Sequence, residues 1–318
     1  MMGFLQRFRF VFFVVLMLAV AWFFYAQIHS HWQQLSVSRV QLHWLWLIFG
    51  LFLVLIHYMM TTAAWRIAMV GGTETELSFA ESIGISNVTQ LTKYVPGKVW
   101  SYAIQMHLLA SHGISKTRVV STNLLMLLSL LSSATVLGSG YLVYSATVFP
   151  TVFSRALLVA SVVGYICLIV GGTHAINATV RLLNRLFKRN IKPISIATSV
   201  ILRVHGVNFA SNVVYGLAGY VVAIGSGAPT TVDILVPIAS ATLLADTIGL
   251  LAIVAPGGIG VREGIMYVML KSVLSAQICF VLLAAFRLVT AACDLMLGST
   301  ALLLLRWFSR RRAAHLRG

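Results

Sequence analysis

A chain of 318 residues with 59% hydrophobic and 9% charged side chains cannot clothe an ordinary soluble surface, which carries roughly 25% charged residues. Its formal net charge of +16 would suggest nucleic acid in a soluble protein. Here most basic residues flank apolar runs, the pattern of loops held at an anionic leaflet. Nucleic acid is therefore excluded as a partner, and an integral membrane protein is expected.

The N-terminal MMGFLQRFRF precedes an apolar run that is too long for a signal-peptide core, and no small-residue cleavage site follows. It reads as an uncleaved first span. At about 20 apolar residues per crossing, full spans are expected near 10–28, 42–63, 119–147, 155–174, 196–224 and 276–305. Two regions are shorter and more polar: 78–112, broken at Pro96-Gly97, and 232–273, broken at Pro256-Gly257-Gly258. The expected fold is an all-α polytopic membrane protein with about six full transmembrane helices and two oppositely oriented, re-entrant-like broken hairpins. It forms a single membrane domain over 1–318. Its approximate halves, 1–175 and 193–306, are joined by a basic cytoplasmic loop at 176–192, and a basic cytoplasmic tail occupies 307–318.

Orientation follows from Lys and Arg in short loops. Arg7 and Arg9, the group Arg181, Arg185, Lys188, Arg189 and Lys192, and the tail residues Arg306, Arg310, Arg311, Arg312 and Arg317 all belong in the cytoplasm. Both termini are then cytoplasmic, and the localisation is the cytoplasmic (inner) membrane. Parity requires region 78–112 to leave and re-enter on the inner side, and region 232–273 to begin and end outside. Pro96 and Pro256 lie 160 residues apart, against 159 for half the chain. Matched breaks of opposite orientation are what an inverted repeat produces, and such segments point to a transporter's substrate site. The plainer alternative is an ordinary Pro-Gly kink whose freed backbone groups find other partners.

A helix restarting after Pro96-Gly97 exposes unpaired N–H groups at the positive end of its dipole, a ready anion site. Lys93 and Lys98 flank that point, and Tyr94 suits a headgroup environment. The second break, APGGIGVREG, offers Gly257, Gly258 and Gly260 followed by Arg262 and Glu263. Arginine can grip a phosphate bidentately where lysine acts as a point charge. The expected headgroup-binding set is thus Lys93, Tyr94, Pro96, Gly97, Lys98, Gly257, Gly258, Gly260, Arg262 and Arg287.

Four carboxylates are candidates for coupling or for lining a polar cavity: Glu81, Asp246, Glu263 and Asp294. Arg287 and Asp294 stand seven residues apart on one helical face, so a structural ion pair is as good a reading. Asp246 has no neighbouring cation, and Glu263 has the simpler option of pairing with Arg262. Asn208 and Asn212, spaced i, i+4, read as glue between helices. Cys167, Cys279 and Cys293 lie in apolar runs, and no histidine cluster has ligand spacing, so no metal or other cofactor is expected.

With YVPGKVW in the first half and APGGIGVREG in the second, the sequence resembles the lysylphosphatidylglycerol synthase transmembrane region family, also called the flippase-like domain family. The likeness spans essentially the whole chain. It implies translocation of a phospholipid or polyprenyl-linked lipid, with the charged and Pro-Gly residues of both hairpins as the matching positions; the sequence shows no ATP-binding motif, so movement is expected to be downhill or driven by an ion gradient. Bifunctional members carry a fused soluble synthase domain, for which 318 residues leave no room, so aminoacyl transfer is not implied. Two further functions stay open: a membrane-embedded lipid-modifying enzyme, although no catalytic constellation is recognisable, and a non-transporting partner of an envelope-lipid synthase. A homo-oligomer is equally open.

Overall fold

The computed structural model describes residues 41–92, 99–144, 151–187, 192–252, 258 and 260–315. The first expected span at 10–28 lies outside these residues, as do Lys93, Tyr94, Pro96, Gly97, Lys98 and Gly257. Every regular element among the described residues is helical: α1 (Trp44–Val70), α2 (Phe79–Thr92), α3 (Val99–Ala110), α4 (Lys116–Tyr144), α5 (Thr151–Phe187), α6 (Thr198–Gly225), a 3-10 turn (Val232–Ile234), α7 (Leu235–Leu251), α8 (Val261–Leu270) and α9 (Ala276–His315). Among the described residues, six stretches are long and apolar enough to cross a membrane: 44–70, 116–142, 152–186, 198–225, 232–251 and 276–308. Five answer to expected spans. The sixth is the first arm of the second broken region, which is longer and more apolar than a half-depth arm requires.

Two boundaries differ from expectation. The stretch 176–192, expected as a loop, is helical through Phe187, so Arg181 and Arg185 ride on α5. At 1.5 Å per residue a helix of 37 residues is about 55 Å long, well beyond a hydrocarbon core of about 30 Å. Its backbone departs from helical angles at Gly171, beside Gly172. The basic tail likewise continues α9 to His315.

Helices α1 and α6 lie antiparallel. The His43 N–H donates to the Gly225 carbonyl at 2.9 Å, Gly50 faces Val222, and Gly71 faces Val200. A Cβ on Gly50 would stand 2.4 Å from a Val222 methyl, so the close approach requires glycine. Midway along both helices, the Ser211 hydroxyl donates to the His57 carbonyl at 3.1 Å and lies 2.8 Å from His57 Nδ1. Asn208 and Asn212 on α6 donate to Ser129 and Ser133 on α4 at 3.0 and 2.8 Å, the expected helix–helix glue.

Two apolar cores are stacked along the helices. One takes Val54 from α1, Leu142 from α4, Val222 from α6 and Leu282 from α9, and is completed by Ile238, Leu243, Met266 and Leu270 of the α7–α8 pair. The other takes Ala68, Leu125 and Val204 from α1, α4 and α6, and is completed by Leu77, Ile85 and Leu109 around the α2–α3 pair. The two hairpins therefore pack in different cores. The packing also repeats: α2 lies on α1 and α9, while α7 lies on α6 and α4. In the same way α3 meets α4 as α8 meets α9, and α4 meets α6 as α9 meets α1.

The base of the first hairpin and the end of α1 are fixed by polar contacts. Ser78 and Glu81 form a reciprocal cap at the start of α2, with Ser78 N–H donating to Glu81 Oε2 at 3.1 Å and Glu81 N–H to Ser78 Oγ at 3.2 Å. Glu81 Oε1 also lies 3.3 Å from His112 Nε2, which ties the start of α2 to the turn after α3. Arg118 donates to the carbonyls of Ala68 (2.7 Å), Met69 (3.1 Å) and Gly71, closing the C-terminal end of α1, where helix carbonyls lack partners.

Candidate functional site

Beside the second break lies a cleft whose charged residues come from three helices, α7, α8 and α9. Gly258 and Gly260 have φ of +68° and +83°, a left-handed backbone that a side chain disfavours. They turn the chain sharply into α8, whose second and third residues are Arg262 and Glu263. The Arg262 side chain lies directly over Gly249 and Gly258. A Cβ on Gly249 would stand 2.3 Å from Arg262 Cγ, and one on Gly258 would stand 2.8 Å from its Nε. These two glycines are the floor on which the guanidinium rests.

Arg262 Nη1 reaches Asp246 Oδ1 on α7 at 2.5 Å. Asp246 is therefore not left without a cation, contrary to the expectation from its neighbours. Nor does Glu263 take its neighbour Arg262. Its Oε2 accepts the Gly260 N–H at 2.6 Å, and its Oε1 lies 3.8 Å from Arg287 Nε on α9. Asp294, which is 1% exposed, accepts a hydrogen bond from the Tyr58 hydroxyl on α1 at 2.9 Å. Arg287 and Asp294 each reach a partner on another helix, Glu263 and Tyr58 respectively.

Aromatic residues close the cleft on the α6 side. The Tyr215 hydroxyl donates to Asp246 at 3.4 Å, and its ring packs 4.5 Å from the His57 ring and 5.5 Å from Phe286. The space left among Tyr215, Asp246, Arg262, Glu263, Arg287 and Thr290 is about 30 Å³, room for about two waters. Arg262 Nε is buried without a hydrogen-bond partner. Buried polar groups in native proteins are mostly satisfied, so this donor is an exception placed beside the cleft.

Among the described residues, the sequence-derived candidates divide into three groups. Gly258, Gly260, Arg262, Glu263, Asp246 and Arg287 converge on one cleft. Asp294 is not part of the cleft's lining; it is linked to it through Tyr58, whose ring lies 5.4 Å from the His57 ring that packs on Tyr215. Glu81 does not join it, because it serves the cap and the His112 contact at the base of the first hairpin. Partial burial opposes its ionisation, but hydrogen bonds from Ser78 and the His112 ring outweigh that and hold the carboxyl below its ordinary value. Sequence reasoning missed Tyr58, Tyr215, His57 and Gly249. No local pattern marks them, since each gains its role from a partner on another helix or across the break.

The model of the family described as lysylphosphatidylglycerol synthase TM region matches residues 8–298 of the chain. Comparison with curated proteins gives no match.

Proposed function

The chain belongs to the lysylphosphatidylglycerol synthase TM region family, and from that premise we propose that it translocates an anionic phospholipid or polyprenyl-linked lipid headgroup across the cytoplasmic membrane. The observation that carries this reading is Arg262, which is held over two glycines, engaged by Asp246 through one nitrogen and left with a buried, unpartnered Nε. An arriving phosphate would supply the missing acceptor and take the place of a carboxylate, so the arginine exchanges one anion for another without standing bare in the membrane. Arg287 offers the same exchange with Glu263. The amides at the start of α8 add the positive end of a helix dipole.

Lys93, Tyr94, Pro96, Gly97 and Lys98, with Gly257 in the second break, complete the proposed path as the headgroup contacts of two hairpins entered from opposite faces. The exchangeable packing of α1, α2, α3 and α4 with α6, α7, α8 and α9 supports an inverted repeat over the two halves. Transfer is downhill or coupled to an ion gradient, with Asp246, Glu263 and Asp294 as the groups that would carry a proton. Both termini are cytoplasmic in this arrangement.

The test is headgroup transfer in proteoliposomes with a fluorescent anionic phospholipid whose outer-leaflet copies are quenched chemically. A charge-assisted hydrogen bond is worth about 1.5–3 kcal/mol, so Arg262→Ala should slow transfer about tenfold or more. Because this change also strands Asp246, the pair Arg262→Ala with Asp246→Asn is measured alongside it. Wild-type rates in both, from protein of wild-type thermal stability, would remove Arg262 from the site.

A further inference from the structure

An apolar groove of about 560 Å³ runs between the first part of α1 and the first part of α9, walled by Leu42, Ile48, Leu51, Val281, Leu288 and Ala292. Its rim residues Ile48 and Leu288 are 63% and 72% exposed. We propose that the N-terminal apolar segment 10–28 of the same chain occupies this groove.

Three observations converge on that occupant. The first is the repeated packing, in which α4 corresponds to α9 and α6 to α1. Helix α5 lies against α4 and α6, so the exchange calls for a helix lying against α9 and α1, which is where the groove runs. The second is register. His57 and Ser211, paired at the centres of α1 and α6, are 154 residues apart. The same displacement carries 10–28 onto 164–182, inside α5. The third is chain continuity. The described residues begin at 41 and the groove begins at Leu42, so the segment is delivered to the groove's own end. Its outer half, with Trp22, Phe23, Phe24 and Tyr25, carries bulky side chains suited to a void of this size. The assignment rests on the repeated packing and holds whether or not the chain moves lipid.

The experiment places the photo-crosslinking residue p-benzoylphenylalanine at Ile48 or at Leu288 in the full chain in membranes, and maps adducts by mass spectrometry. Both positions are exposed, so folding should be undisturbed. The expected adducts fall within residues 10–28 of the same chain, recurring every three or four residues, as shown by mixing two differently tagged copies. Adducts to the other tagged copy would make the groove a dimer interface. Adducts to lipid alone would make it a hydrocarbon site, and adducts elsewhere in the chain or none at all would leave the segment outside it. Any of these results overturns the assignment.

Discussion

Tyr58 shows how a single hydroxyl can govern a buried charge. Asp294 is almost wholly enclosed, and Tyr58 on another helix donates to it. Tyr58→Phe keeps the ring and removes that bond, which to a charged acceptor is worth about 1.5–3 kcal/mol. A lower melting temperature in detergent is the expected outcome, and Asp294→Asn in the same background should recover part of the loss. The charged residues were legible in the sequence because a charge in an apolar chain is costly wherever it sits. Their pairing was not. Arg262 and Glu263 are adjacent, and adjacent residues on a helix do not face each other. Each therefore turns to a different helix, Arg262 to Asp246 and Glu263 to Arg287.

At the scale of elements, the α1–α6 crossing and the base of the first hairpin make separate predictions. Gly50→Val would drive a side chain into Val222 and should destabilise by about 1–3 kcal/mol, read as a fall in melting temperature, whereas the same change at Gly140, where a Cβ meets nothing within 4 Å, should not. At the base, Glu81 lies outside the candidate spans, and its carboxyl is held below its ordinary value. The unfolded chain then binds the proton first as pH falls, so stability from this group is full above the ordinary carboxylate range and is lost as pH drops through the lowered value. Glu81→Gln should flatten the melting temperature against pH in that acid window and leave the slope near neutrality unchanged. Helix existence could be read from apolar run length, as α1, α4, α6 and α9 show. Helix ends could not, because Arg181 and Arg185 continue α5 as readily as they would a loop.

Across the whole molecule, the sequence showed two breaks at matched spacing, and the fold sets their hairpins in two separate cores. The arrangement across the membrane proposed for them is tested by Glu76→Cys and Thr230→Cys, two exposed positions flanking the first and second hairpins. In sealed cells a membrane-impermeant maleimide should label the cysteine at 230, while the one at 76 should react only after permeabilisation. Labelling of both from the same side would refute the opposed hairpins. What the sequence could not supply was the stacking itself. It depends on α1, α4 and α6 each contributing different segments to each core, a division invisible without the neighbours.

The central contact of α1 and α6 has a mechanical consequence. His57 and Ser211 meet at the midpoints of two antiparallel helices, with one hairpin's core toward each end. In the lipid transfer proposed above, that contact would act as a fulcrum. A tilt of one helix against the other about it parts them at one end by as much as it presses them together at the other. In a molecule working this way, a gate on one side of the membrane opens only as its counterpart shuts, so a headgroup could pass without a continuous leak for protons.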